Sequence, residues 1–280
     1  MLSQLNIKRC YRTKKDDIPG TLFVPALSHG IQYDRGTGFF SVDALIELSA
    51  GIIPYIKNNG VIRIVTSVDL DMKEMEIIKN GLEYGRQKAT AHILKQIEDS
   101  FATKDDMLSL DLICNLIAAN KIQIKIAFLP DGGIYHEKIG YIKDVDGESI
   151  WFIGSNNETY SGLKKNAESF SVLKSWTDDA KDIEEQVEYF NSLWGNNEDG
   201  IEVYDFPEAA KKQLFSMYKK SNDIYEAIRK IEKSLNHSNE KTLYPYQENL
   251  NDSTLSINHS CLTPINSENS VLALFLRIFL

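Results

Sequence analysis

Four β-rich runs crowd the middle of the chain: IQIKIAFLP (residues 122–130), HEKIGYIK (136–143), SIWFIGS (149–155) and SFSVLKSW (169–176). β-branched and aromatic residues dominate them, and the turn formers DGG, DVDGE and NNETYSG stand between them. Short strands joined by such turns pair with their neighbours, so a sheet is the layer around which everything else must be arranged.

The flanking segments supply the covering layers. TLFVPALS (21–28) reads as a further strand, YDRGTGFFS (33–41) as a glycine-punctuated loop, and Ser41 as the cap of an apolar-periodic helix interrupted at Pro54. VIRIVTSV (61–68) reads as a strand, and helices are expected over 73–100 and 105–120. In DDAKDIEEQVEYFNSLW (178–194), Ile183, Val187, Phe190 and Leu193 or Trp194 fall on one helical stripe, a core-packing pattern. IEVYDF makes a last strand, and Pro207-Glu208 opens a helical segment as helix starts do. Strands alternating with helices predict an α/β fold, with a mixed β-sheet flanked by helices on both faces and a helical C-terminal extension. The expected boundaries are a main domain over 1–206, the helical extension over 207–235 and a linker, disordered or truncated tail over 236–280, where Asn, Ser and Thr take over.

Charge and cysteine usage narrow the function by exclusion. A formal net charge of −9 argues against a general nucleic-acid-coating protein, because nonspecific affinity comes from Lys and Arg neutralising phosphates. Any phosphate binding has to be local. Between Asp178 and Glu208 stand eleven acidic residues against one Lys, whereas KRCYRTKK (8–15) is basic; both runs read as solvated surface. Cys10, Cys114 and Cys261 fit neither a disulfide framework nor a CxxC metal pattern, which suits a reducing cytoplasm. The N-terminal residues lack the apolar core of a signal peptide, and VLALFLRIFL at the end is too short for a membrane span and holds Arg277.

The chemistry concentrates in three short pieces: His136-Glu-Lys138, Gly154-Ser-Asn-Asn157 and Asn166-Ala-Glu168. Residues two apart in a strand share a face, so His136 and Lys138 project side by side. An imidazole beside a fixed ammonium suits a phosphodiester: the ring is a nucleophile or proton donor near neutral pH, and the cation binds the nonbridging oxygens. Asn157, two residues after Ser155, adds an uncharged donor aimed at the same oxygens. Glu168, at the head of the next strand, is expected to hold the second ring nitrogen of His136. The candidate catalytic set is therefore His136, Lys138, Ser155, Asn157 and Glu168. Tyr33, Arg35, Phe39 and Phe40 either line a substrate groove or pack their loop, and Lys164 and Lys165 either extend a phosphate track or solubilise. No HExxH, paired CxxC or Asp-rich cluster accompanies these residues, and neither a metal nor another cofactor is expected.

Read together, these pieces resemble the phospholipase D superfamily, whose motif is His-x-Lys, a following Asp, and then Gly-Ser-x-Asn. In its bacterial endonucleases a glutamate follows the motif Asn by eleven residues, the separation of Glu168 from Asn157 here. The resemblance implies a phospholipase D-like fold and a phosphodiesterase. Its single-motif layout is similar to the dimeric bacterial nucleases and restriction endonucleases, which implies a DNA endonuclease acting in restriction or phage defence. One departure stands out: the family's Asp position is Lys143, and the nearest acids are Asp144 and Asp146, which an Asx-type turn can use in its place.

Family members need two copies of the motif, one His attacking phosphorus while the other protonates the leaving oxygen. His29, His92, His237 and His259 are not followed by a Lys two residues on, so a single copy implies a homodimer with both His136 side chains facing across a twofold axis. The rival readings are a non-catalytic nucleic-acid-binding module and a lipid phosphodiesterase. Leu243-Tyr-Pro-Tyr-Gln247 resembles the segment that opens the motor domain of superfamily 2 helicases, which implies association with, or shortening from, a helicase-type protein. No GxxxxGK[ST] or DExH box follows it, so ATP hydrolysis is not expected of this chain.

Overall fold

The computed structural model describes residues 1–67, 91, 104–130, 134–177, 180–206 and 208–240. Eight strands among them form one mixed sheet in the order β1-β7-β6-β5-β2-β3-β4-β8. They are β1 (Cys10–Arg12), β2 (Gly30–Thr37), β3 (Val61–Thr66), β4 (Ile122–Phe128), β5 (Lys138–Asp144), β6 (Ser149–Gly154), β7 (Ser169–Lys174) and β8 (Glu202–Asp205). β2, β3 and β4 run parallel, and every other neighbouring pair is antiparallel.

Side-chain alternation along the strands divides the core in two. Ile142, Ile150, Phe152, Ile62 and Ile64 face the larger layer, whereas Tyr141, Trp151, Val65 and Ala127 face the smaller. Helices α1 (Val24–His29), α3 (Ser49–Lys57) and α4 (Lys104–Ala118) cover the first face with Leu27, Ile52 and Leu116. Helix α5 (Ala180–Trp194) covers the second with Ile183, Phe190 and Leu193, the stripe its periodicity predicts. The α/β sheet with helices on both faces is as expected.

Two segments exchange roles relative to their sequence patterns. Residues 21–28 are not a strand: a helical turn over Pro19–Phe23 leads into α1. Pro19 and Pro25 sit in first turns, where a missing N–H costs nothing, and Leu22, Phe23, Ala26 and Leu27 make a helical face. Residues 33–37, read as loop, belong to the central strand β2. Their charges misled the pattern, because successive residues point to opposite faces and each charge finds a partner there. Asp34 takes both Arg63 Nε and Nη2 at 2.6 Å, and Arg35 donates from Nε to Glu158 at 2.9 Å with neither side chain exposed.

Two helix boundaries also shift. The helix after Ser41 breaks at Leu48 into α2 (Val42–Glu47) and α3, with Pro54 inside α3, and Ser41 makes no side-chain cap. The C-terminal helical segment divides into α6 (Glu208–Tyr218) and α7 (Ile224–Glu240), because Asp111 of α4 takes the backbone N–H groups of Lys220 (2.7 Å) and Ser221 (2.9 Å). Both helices pack onto the larger core through Leu214, Ala227 and Ile228. The helix expected over 73–100 lies outside the described residues apart from residue 91, and the tail from 241, with Leu243–Gln247, lies wholly outside them. No described helix is long and apolar enough to cross a membrane.

Candidate active site

Strand register delivers the site residues to one end of the sheet. Thr37 at the end of β2 pairs with Lys138 at the start of β5, and Gly154 at the end of β6 pairs with Phe170 near the start of β7. The candidate residues sit at or just beyond the ends of three adjacent strands, β5, β6 and β7, and the end of β2 adds a fourth side.

His136 lies just ahead of β5, which begins at Lys138, and its side chain is exposed with Phe39 packed edge-on to the ring at 6.0 Å. Lys138 is 7% exposed, and its Nζ donates to the His136 carbonyl at 2.6 Å. Burial pulls the Lys138 pKa below the usual lysine value; the Glu168 charge opposes that shift and Arg35 reinforces it. Glu137, between the two, turns to the opposite face and accepts hydrogen bonds from Tyr189 at 2.8 Å.

Asn157 faces the same space. Its Oδ1 accepts the Phe39 N–H at 3.0 Å, which orients the amide and leaves Nδ2 as the donor available to a bound group. Gly38 is where these groups meet: a Cβ there would stand 2.7 Å from His136 Cδ2, 3.2 Å from Asn157 Oδ1 and 3.3 Å from Lys138 Nζ. A side chain at position 38 would fill the space the three functional groups surround, so glycine is required by close approach.

Glu168 does not hydrogen-bond His136. Its carboxylate accepts instead from Ser155 Oγ and, at 3.1 Å, from Asn166 Nδ2. The backbone explains the difference: the Glu168 N–H donates to Thr13 Oγ1 at 2.9 Å and the Ser169 N–H to Ser155 Oγ at 3.2 Å, which turns the carboxylate toward the end of β6. Ser155 and Glu168 thus form one hydrogen-bonded pair, whose negative charge acts on Lys138 from a distance.

Beneath the site, the buried Arg35 fixes its geometry. Nη1 donates to Ile139 O at 3.0 Å and Nη2 to Asn156 O, tying the start of β5 to the loop that carries Asn157. Tyr33 OH adds a bond to Glu158 at 3.1 Å, and Thr37 Oγ1 accepts the Glu158 N–H at 2.9 Å. Of the alternatives open for the 33–40 segment, Tyr33, Arg35 and Phe40 are buried packing and only Phe39 borders the site. Asp144 holds the turn after β5, its Oδ1 taking the N–H groups of Asp146 (3.0 Å) and Glu148 (2.9 Å).

Gly38 and Thr37 escaped sequence reasoning, although a signal for them exists: Gly38 directly follows a run whose charges alternate face by face. Chemically, the arrangement offers an exposed imidazole, a desolvated ammonium and an amide donor beside Gly38, the set a phosphodiester's negative oxygens and electrophilic phosphorus call for.

The family described as "Cardiolipin synthase, PLD-like domain" matches residues 47–194, a little over half the chain, while no curated protein matches it significantly. Among solved structures, NucT from Helicobacter pylori is 12% identical with a TM-score of 0.40, covering 70% of this chain and 97% of its own. Nuc from Salmonella typhimurium, a phospholipase D family member, is 16% identical at 0.37, covering 68% and 93%. Phosphatidylserine synthase from Haemophilus influenzae is 14% identical at 0.41, covering 74% and 44%. The family match runs from α2 through the His136, Asn157 and Glu168 segments to the end of α5, and by it the chain belongs to the phospholipase D superfamily of phosphodiester-cleaving enzymes.

Proposed function

We propose that this protein is a metal-independent phosphodiesterase, a DNA endonuclease that works through a phosphohistidine on His136. The observation that carries the reading is the convergence of His136, Lys138 and Asn157 on the space above Gly38. A phosphate there has its nonbridging oxygens toward the Lys138 ammonium and the Asn157 amide, with the His136 ring nitrogen behind phosphorus.

In this scheme a His136 nitrogen attacks phosphorus, a P–N bond forms, and the P–O bond to one nucleotide breaks. The departing oxygen takes a proton from the His136 of a second copy of the chain. That ring, now neutral, removes a proton from water, whose oxygen attacks phosphorus and releases His136. A homodimer follows from the need for two imidazoles, and the exposure of His136 supports it. Ser155 and Glu168 serve as a positioning pair that keeps negative charge near Lys138.

DNA as substrate rests on the resemblance of the single-motif layout to the bacterial nucleases, and the cytoplasm as location on the free thiols of Cys10 and Cys114. A role in restriction or phage defence, in company with a helicase-type ATPase module, completes the reading on the strength of the sequence resemblances. The family description names a lipid enzyme, which favours a lipid phosphodiester as the second reading.

Assaying the chain on plasmid, single-stranded DNA, bis-para-nitrophenyl phosphate and phosphatidylcholine vesicles, each with and without EDTA, separates these readings. EDTA-resistant cleavage of DNA is the expected result. Turnover of the vesicles alone, or loss of DNA cleavage in EDTA, contradicts it.

A further inference from the structure

The basic run near the N-terminus, solvated by its sequence pattern, is carried by the fold to the rim of the active site. β1 pairs with β7, with Arg12 opposite Ser169, and this places residues 13–15 beside Glu168. Three contacts lock the placement: the Thr13 N–H donates to Glu168 O at 3.1 Å, Thr13 Oγ1 donates to Asn166 O, and the Glu168 N–H returns to Thr13 Oγ1. Lys14 Nζ donates to the carbonyl of Lys165, so an N-terminal cation and a cation of the 161–165 turn lie together.

The charges in this ridge differ in what they face. Lys8 is paired with Asp16 at 2.6 Å, and Lys164 with Glu47 at 2.9 Å and Asp17 at 3.4 Å. Lys14, Lys15 and Lys165 are exposed and within salt-bridge distance of no carboxylate among the described residues. Lys165 Nζ lies 5.3 Å from the ring centroid of Tyr160, which is 37% exposed and stands three residues after Asn157. An exposed cationic strip with an exposed aromatic, on a chain of net charge −9, is a local attraction for a polyanion.

We propose that Lys14, Lys15 and Lys165, with Tyr160, form a strand-binding ridge that holds the phosphates flanking the scissile one in a single-stranded polynucleotide. Lysines presented side by side from two adjoining turns can meet neighbouring backbone phosphates, and Tyr160 offers its face to a base. The ridge deepens the nuclease reading, because it makes the substrate a polymer and not an isolated phosphodiester.

Binding of a fluorescent single-stranded oligonucleotide by the full chain carrying His136→Ala, which removes turnover, tests the ridge directly. Replacing Lys14, Lys15 and Lys165 with Ala should weaken binding about tenfold or more at moderate salt and flatten the slope of log affinity against log salt by roughly two. Replacing the same three with Arg should keep both. Unchanged affinity and slope in the Ala variant overturn the proposal, and so does an Ala variant that keeps its oligonucleotide affinity but loses affinity for phosphatidylglycerol vesicles. Failure of the chain with an intact His136 to hydrolyse any phosphodiester counts against the catalytic reading alone, since the binding measurement does not depend on turnover.

Discussion

Gly38 lies against His136 so closely that a Cβ on the glycine would stand 2.7 Å from Cδ2 of the ring. The same point is 3.2 Å from Asn157 Oδ1 and 3.3 Å from Lys138 Nζ, so the bend that follows β2 sets the spacing of the three side chains. Gly38 is not among the described residues with positive φ, and its requirement is steric rather than conformational.

Gly38→Ala therefore leaves the backbone content but displaces the imidazole. Activity on a small phosphodiester should fall about a hundredfold, the cost expected of an ångström-scale misplacement, while thermal stability stays close to that of the parent. Kinetics alongside a melting curve check this; unchanged turnover would mean that the three groups do not act together.

Burial of the Lys138 ammonium works against stability. Its folded pKa lies below the usual 10.5 because burial penalises the charged form. Between that lowered value and 10.5 the unfolded chain binds a proton the folded chain does not, so unfolding free energy rises with pH in this window. Lys138→Met removes the buried charge: it should raise stability at neutral pH by about 1 kcal/mol, lose that advantage as pH climbs through the window, and abolish activity. Denaturant curves at neutral and alkaline pH read all three.

The pair Ser155–Glu168 is expected to tune the same lysine. Glu168 raises the Lys138 pKa, so Glu168→Gln should lower it further and move the alkaline limb of the rate profile to lower pH. A profile whose alkaline limb does not move would show that Glu168 acts on another group.

Arg35 and Glu158 carry no exposure and join β2, β5 and the Asn157 loop. Glu158→Ala strands a buried guanidinium and should cost about 3–5 kcal/mol. Chemical denaturation of the purified variant measures it directly.

How far the sequence revealed this arrangement depended on whether its signals were local. The run of apolar strands between residues 122 and 174 and the stripe on α5 are local patterns, and each stands where its spacing placed it, whereas β5 begins only at Lys138 and leaves His136 just ahead of the strand it was expected to share. β2 was hidden because Asp34 and Arg35 look like loop residues until Arg63 and Glu158, 29 and 123 positions away, neutralise them. The contact expected between Glu168 and His136 failed for a similar reason. Thr13, 155 residues distant, takes the Glu168 backbone and turns its carboxylate to Ser155. Nor does any local pattern tell that the basic run at 8–15 borders the site, since only the pairing of β1 with β7 brings it there.

The catalytic claim is tested most directly by trapping the chain during turnover of a phosphodiester in EDTA and mapping acid-labile phosphate by mass spectrometry. A phosphoryl group on His136, absent from His136→Ala together with nearly all activity, is the predicted result. Robust cleavage by His136→Ala, or cleavage that stops when divalent ions are removed, would contradict it.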